Sequence, residues 1–590
     1  MKCPSNTFSQ IRRTRRCTAG KLQKLVVGDR VFSGDKVPDG FFSSIKDLKM
    51  RNVDDLYKSG HFQDIEMDYE NILKLCEESR PIKPITEKEA LDLLQRMKND
   101  VTDLYSITPR HYLYAGPAGC HHFFLLLSSF LDDVKNTTIH EINASYAVVL
   151  FKGHGKDKTS SRSYRTISTC PLVAKALDLY IRDQYIKIWN ENQAETQFQG
   201  EGSSHELSAL LLTECIQYSK YVKKLPTFVL YLDAKSAFDV ILREILIKNL
   251  YSIQNIDQSL LYINNRLEHR STFVDWNGVL MGPIDDERGL EQGGINSSDL
   301  YKIYAREHLD LAQQSCLGVQ MHDVTISGIG MADDTALVSN NIHNLAYLLK
   351  LSLSFSDKYH GEICAEKTQL QVYWPNRTPG DLDIDFIEET NPILIDGKKI
   401  PFSTVADHVG IVRSTSGNRE AILARICAHK NAVASILSTG MARGHRGNPA
   451  VGIKVHCLYG VPVLLSGIAA LVLSSSDVNL IEGHYKATLS NLMRLHAKTP
   501  RSVVYFLAGS LPGVALIHLR QMSLFGMLTR LPGSILHKIA CNTFSSGNIP
   551  KTSWFWQIRK ICMNYALPHP LELLQSSPTN FSCSSPTNFS

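Results

Sequence analysis

The chain has 590 residues, 43% hydrophobic and 21% charged, an ordinary globular balance that can bury large cores in roughly two to four structural units. Its net charge of +5 permits a nucleic-acid partner without arguing for one, because the pattern of charge matters more than its sum. The 13 cysteines include no C-x-x-C pair, which excludes a zinc ribbon or a dithiol redox motif and fits free thiols in a reducing compartment.

In chain order, the first signal is the cluster Arg12, Arg13, Arg15 and Arg16, with no apolar stretch behind it. No secretory leader is expected, so the chain is expected inside the cell, in the nucleus or cytoplasm. The cluster reads as a solvated tail, with nucleic-acid contact or nuclear targeting as the functional alternative. Residues 1–99 as a whole are expected to be linker-like and partly disordered. Within them Glu87–Met97 has apolar residues at helical spacing behind Thr86, a possible N-cap. From 100 to 415 the pattern mixes helix and strand. A helix is predicted near His122–Leu131, then strands at Tyr146–Phe151 and Phe228–Leu232, the latter running into an amphipathic helix after Phe238. A hairpin follows around 325–339, with further strands near 369–373 and 408–412.

From 416 to 565 the chain is predicted helical, with recurring cations from Arg419 through Arg443, Arg446 and Lys454 to Arg501. The greasiest run, Cys457–Leu473, matches the shortest membrane spans in length, but Gly460, Pro462, Ser466 and Gly467 interrupt it. A buried core helix is therefore predicted there, and no membrane partner. The sequence SSPTNFS occurs at 576–582 and again at 584–590, so residues 566–590 are expected to be disordered.

The sharpest feature is ISGIGMADDTALV, residues 326–338, in which two strand-prone flanks enclose Asp333 and Asp334. Adjacent carboxylates at a hairpin tip repel each other, and a divalent cation offsets that repulsion. Taken alone, the pair is better explained as a plain Asp-rich turn. One hundred residues earlier, FVLYLDAKSAFD places Asp233 at the end of a hydrophobic strand. Three carboxylates from neighbouring strands could hold two metal ions about 3.5–4 Å apart, the arrangement that activates an attacking oxygen and stabilises a leaving one. Asp239 reads as a helix-start or structural residue.

FVLYLDAKSAFD and GMADDTALV resemble motifs A and C of reverse transcriptases, in the variant of non-LTR (LINE-like) retrotransposons. Other segments resemble the family's remaining motifs in order. Lys152–Lys158 with Tyr164-Arg165-Thr166-Ile167-Ser168 resembles the nucleotide-holding fingers segment, and Gln197–Ser204 a template-contacting segment. Arg288–Gly294 resembles motif B, Gly361–Thr368 motif D, and His408–Ile411 the primer-grip hairpin. The resemblance spans roughly residues 100 to 565.

It implies an α+β right-hand polymerase: fingers and palm with antiparallel sheet over 100–415, then a mainly helical thumb and C-terminal region over 416–565. The implied activity is RNA-directed DNA synthesis on an RNA template and DNA primer from deoxynucleoside triphosphates, with two magnesium ions or, alternatively, manganese. Protein partners are unknown. Asp233, Asp333 and Asp334 would be the metal ligands and catalytic carboxylates, with the backbone carbonyl of Ala234 as a further ligand. Lys156 or Lys158, with Arg165, would answer the triphosphate charge. Phe238 would exclude a 2′-hydroxyl, Gln292 and Gly293 would admit the template base pair, and Lys367 would protonate departing pyrophosphate.

The chain departs from the family pattern at Met331 before the Asp pair, at Thr166, at Cys364 in motif D, and at Glu291, which is expected to put a carboxylate near the template. No endonuclease or C-C-H-C knuckle is visible, so the resemblance implies an N-terminally truncated element. Two alternatives remain open: a catalytically inactive nucleic-acid-binding remnant, and an RNA-dependent RNA polymerase, whose usual G-D-D is replaced here by A-D-D.

Overall fold

The computed structural model describes residues 22–50, 61–98, 102–134, 142–375 except 154, 201, 255 and 256, then 387, 389–390, 392–438 and 448–575. The N-terminal arginine cluster, His154, Glu201, Arg443, Arg446 and the repeat at 576–590 lie outside them.

Thr227–Leu232 (TFVLYL) is buried along its whole length because helices cover both faces of its sheet. Phe228, Leu230 and Leu232 pack with Leu345, Leu348 and Leu349 of the helix Ile342–Lys358. Val229 and Tyr231 face the helix His205–Tyr218 and the C-terminal helices. This two-sided burial is why the strand reads as a continuous apolar run rather than an alternation. Its sheet is fully antiparallel, in the order Gly328–Met331, Asp334–Ser339, Thr227–Leu232, Gln369–Tyr373. All four strands lie within or beside the segments predicted.

A second sheet has the order Tyr164–Thr169, Ala144–Phe151, Ser271–Trp276, Val279–Asp285. Here the expectation of antiparallel sheet needs correction. Ala144–Val148 runs parallel to Ser271–Asp275. Parallel neighbours need a long crossover, and the chain supplies one by building the first strand of the other sheet in between. The predicted helix after Phe238 begins later, at Arg243, because residues 235–240 form turns.

The N-terminal region is also not linker-like where it is described. The hairpin Lys24–Val27/Arg30–Ser33 and the helix Val37–Lys49 pack Leu25, Val37 and Phe41 against Val149 and Val274 of the second sheet. The helices His61–Glu77 and Glu87–Arg96 join the core beneath Leu172–Glu191. Thr86 caps Glu87–Arg96 in a full capping box with Glu89. At the other end, Pro570–Gln575 is helical with Leu573 and Leu574 buried, so the ordered C-terminal region extends past residue 565.

The apolar run near residue 460 is broken into Pro449–Val455, a π turn at His456–Gly460, Val461–Leu465 and a 3-10 turn. Leu464, Leu465, Ile468, Ala469 and Ala470 join the main core. Trp554, fully buried, donates its indole N–H to the Ala469 carbonyl at 2.6 Å.

Glu214 links the two halves of that core. Its carboxylate accepts from the Trp554 backbone N–H at 2.7 Å and the Ser553 hydroxyl at 2.8 Å. Burial pushes its carboxyl up to about 7 from 4.5, with those two bonds opposing. Between these values the folded chain holds a proton that the unfolded chain has released, so stability falls as pH rises through that window. Relative to Glu214→Gln, the wild-type protein should therefore lose up to about 3 kcal/mol between acid and mildly alkaline pH. Thermal melts of both proteins across that range check it, and a pH-independent difference would show that the carboxylate is solvated.

Candidate active site

Met331 pairs with Asp334 across a two-residue turn made of Ala332 and Asp333. Ala332 takes φ 57°, the left-handed region, at a cost of about 1–2 kcal/mol that the tight turn imposes on a residue with a Cβ. Next in the sheet, Thr335 pairs with Leu232. One step further, Asp233 lies alongside Asp334, about 5 Å apart at Cα by antiparallel spacing. The structure thus brings together Asp233, Asp333 and Asp334, from residues one hundred positions apart in sequence.

Their electrostatics follow from that proximity. Asp334 is pushed up to about 6, first by loss of hydration and then by the negative charges of Asp333, Asp407 and Asp233. Asp333 is raised as well, chiefly by lost hydration, with Asp233 adding to the shift and Arg165 and Lys367 opposing it. Solvent still reaches both side chains at the open front of the site. Lys367 Nζ donates to Asp233 Oδ2 at 2.9 Å. Both side chains are more than one-third exposed, so this pair contributes at most about 1 kcal/mol.

Cys364 N–H donates to the Asp233 carbonyl and Lys235 N–H to the Glu362 carbonyl, each at 2.8 Å. These bonds bracket Ala234, which bridges Ile363 without bonding to it. The Ala234 carbonyl therefore points away from that segment, toward the side that carries the hairpin. Among the described residues, no three His, Cys, Asp or Glu side chains are closed around a metal-sized point. The donor set nevertheless fits a hard divalent cation: carboxylate oxygens and a free-facing backbone carbonyl, with mutual repulsion that such a cation relieves.

Cations face the carboxylates from the second sheet. Arg165 is exposed on Tyr164–Thr169 and acts electrostatically on Asp333. Lys156 is exposed and couples to Lys152, whose ammonium also feels Arg165, Lys367 and Asp233. Lys152 was not singled out from the sequence, although it opens the fingers-like segment. It donates to the Arg162 carbonyl at 2.9 Å, and partial loss of hydration together with the neighbouring cations lowers its pKa although the side chain is still exposed. Lys158 differs from Lys156: its ammonium sits 5.9 Å from the Phe151 ring centroid.

Phe238 stacks on Tyr301, centroids 4.6 Å apart and rings inclined by 21°. Tyr301, buried on the helix Ser297–Gln314, also feels Asp333 and Asp334. No motif in the sequence pointed to it, because its role comes from helix placement. Gly293 has φ 114°, and a Cβ there would meet the Ser168 carbonyl oxygen at 2.8 Å. Ser168 N–H also donates to the Gln292 carbonyl at 2.8 Å. The close approach that requires glycine is therefore to the second sheet. Gln292 directs its amide at Asp239 Oδ2, 3.4 Å away. Asp239 itself is raised by burial, opposed by Lys49 and Arg270.

The expectation for Glu291 needs correction. Its side chain is only 6% exposed and lies 3.9 Å from Arg266, which also binds Asp178 at 3.0 Å. This carboxylate balances a buried guanidinium rather than meeting a template. Gln197 and Phe198 are buried too, on a segment that lines the open edge of Gly328–Met331: Phe198 N–H donates to the Gly330 carbonyl and Gly330 N–H to the Thr196 carbonyl. Cys364 is buried, with its thiol 3.5 Å from Glu366.

A carboxylate at a strand end beside a hairpin bearing two more, on an antiparallel sheet flanked by helices, is the geometry of a polymerase palm. Residues 156–396 match the family described as Reverse transcriptase (RNA-dependent DNA polymerase). Residues 156–396 are thus similar to a reverse transcriptase domain, a kind of domain that implies a nucleic-acid template and primer with deoxynucleoside triphosphates and that generally uses divalent metal ions. No curated protein matches the chain. The matched segment includes Arg165, Asp233, Phe238, Gln292, Asp333, Asp334 and Lys367, and stops before the hairpin Val405–His408/Ile411–Ser414 and the C-terminal helices.

Lys367 competes with any cation for Asp233. Lys367→Ala should therefore bind manganese more tightly without nucleotide, by no more than about fivefold given the worth of an exposed pair. Calorimetric titration reads this directly, and unchanged or weaker binding would mean that the ammonium does not guard the site.

Proposed function

We propose that the chain is an RNA-directed DNA polymerase of the non-LTR retrotransposon type, extending a primer 3′-hydroxyl by a two-metal mechanism. The observation that carries this reading is the strand register that sets Asp233 beside Asp334 and Asp333 within the matched domain. Asp233 and Asp333 would hold both ions, magnesium by preference, with Asp334 and the Ala234 carbonyl supporting. When bound, the ions would supply Lewis-acid activation of the attacking oxygen and charge stabilisation at the phosphoryl group.

The remaining work falls to the chain itself. Arg165, Lys152 and Lys156 offer positive charge to the triphosphate, and Lys367, once released from Asp233, is placed to donate a proton to departing pyrophosphate. Phe238, braced by Tyr301, presents its ring where a ribose 2′-hydroxyl would collide. Positioning and electrostatics account for the rate, since phosphoryl transfer leaves little covalent chemistry to the protein.

The inactive-remnant reading rested partly on Glu291 intruding on the template. With Glu291 engaged by Arg266 in the interior, that argument falls away.

Given a primed RNA template, deoxynucleotides and magnesium, the purified protein should extend the primer, and Asp333→Asn should lower the rate by at least about a thousandfold, in line with losing a charge-stabilising group. Folded protein that never extends the primer would restore the remnant reading. Phe238→Ala should raise ribonucleotide incorporation relative to deoxynucleotide by about tenfold or more in single-nucleotide assays, the worth of one well-placed steric contact. Unchanged discrimination would remove Phe238 from that role.

A further inference from the structure

At the Thr227–Tyr373 end of the palm sheet, the end opposite Asp233, a cleft of about 950 Å³ opens between the helix His205–Tyr218 and the C-terminal helices. The strand Thr227–Leu232 separates it from the carboxylates by roughly 20 Å. Its lining carries five Lys or Arg side chains, Lys220, Arg413, Arg419, Lys551 and Lys560, against a single carboxylate, Asp477. Asp477 is itself engaged in the capping box of Ser474.

Arg413 is the most informative of these. It is 94% buried (6% exposed), and its terminal nitrogens reach only the neutral Thr213 hydroxyl at 3.1 Å and the Ala209 carbonyl at 2.6 Å. Its Nε has no hydrogen-bond partner among the described residues, nor do the buried hydroxyls of Thr415 and Thr552, which also line the cleft. A buried guanidinium without a counter-charge is costly, and an anion in the cleft would offset that cost.

The surroundings favour the same kind of ligand. Three long helices begin at the cleft: Arg419–Ser438, Ser475–Leu492 and Trp554–Asn564. The third already has its first amide bonded to Glu214, so the N-termini of the first two add the positive potential suited to phosphate. Two aromatic rings in the lining each carry a lysine, with Lys560 5.5 Å from Trp556 and Lys220 5.4 Å from Tyr221. Alternating cations and ring faces are what an unpaired strand uses, phosphates on the one and bases on the other. A paired duplex offers no free base faces to such rings.

We propose that this cleft is a second nucleic-acid site, which holds a single-stranded polynucleotide segment behind the palm. The inference concerns a site apart from the polymerase centre and leans on the polymerase reading only for the ready supply of such strands.

The test uses the full chain, with anisotropy of a labelled single-stranded RNA and, in a separate arm, a single-stranded DNA, while unlabelled primed duplex saturates the polymerase site. Both strands at comparable affinity indicate backbone recognition, and RNA alone would show that the 2′-hydroxyl is read; either outcome supports the site. Lys551→Glu/Lys560→Glu should weaken strand binding at least tenfold and reduce the slope of log affinity against log salt by about 1.4, the single-strand value for two phosphate contacts. Primer extension on a short template should stay within twofold. Conservative Lys551→Arg/Lys560→Arg should restore binding. Unchanged binding in the charge-reversed protein, whose fold is verified by its melting temperature, overturns the proposal, as does crosslinking of the strand only to residues outside the cleft. Strand binding without primer extension would defeat the polymerase reading and leave this site standing.

Discussion

The matched domain of this molecule depends on one unfavourable contact that the fold makes obligatory. Three carboxylates are held together by the pairing of Thr335 with Leu232 and by a two-residue turn in which Ala332 adopts a left-handed backbone. Left free, these groups would move apart. They stay because the strand beneath them is buried on both faces, so a slip by one residue would transfer Val229 and Tyr231 to the opposite core. Repulsion that cannot relax is what gives the site its appetite for cations. Lys367 provides one, the divalent ions that such domains generally use would provide others, and Arg165 adds positive charge from the facing sheet.

The sheet bearing Arg165 is tied to this centre by more than sequence proximity. Its parallel pair is closed only after the chain has built Thr227–Leu232 and returned to Ser271. The N-terminal helix Val37–Lys49 then fastens the return: Lys49 reaches Asp286, which also binds Arg270 at 2.6 Å, and the Lys49 carbonyl accepts from Glu287 N–H. Residues that look like a polar preface thus brace the loop that carries Gln292 and Gly293.

Much of this was legible beforehand. The strands around Asp233 and Asp333 announced themselves as apolar runs bounded by turns, and Thr86 marked its helix because capping chemistry is local. What escaped were properties set by distant partners. Glu291 looked like an intruder on the template because its neighbour Arg266 is 25 residues upstream, on the helix Ser259–Glu268. Tyr301 sits in no motif, and Lys49 gains its meaning from Asp286 and Thr272, more than 220 residues away. Gly293 reads in sequence as a glycine that admits a template base pair, whereas the neighbour that leaves no room for a Cβ in the fold is the Ser168 backbone. Spacing along the chain encodes secondary structure and turns; it does not encode which charge a buried charge will meet.

The bond between Glu214 and the Trp554 amide joins residues 340 positions apart, and the inner face of His205–Tyr218 is completed only by helices from the end of the chain. During synthesis the palm sheet must therefore wait, with Val229 and Tyr231 covered by His205–Tyr218 alone and the rest of that apolar layer bare until nearly the whole chain has emerged. Long-range closure of this kind is slow and leaves sticky intermediates. A nascent chain halted after Lys367 would hold every carboxylate of the hairpin cluster and still lack the wall that keeps them in register.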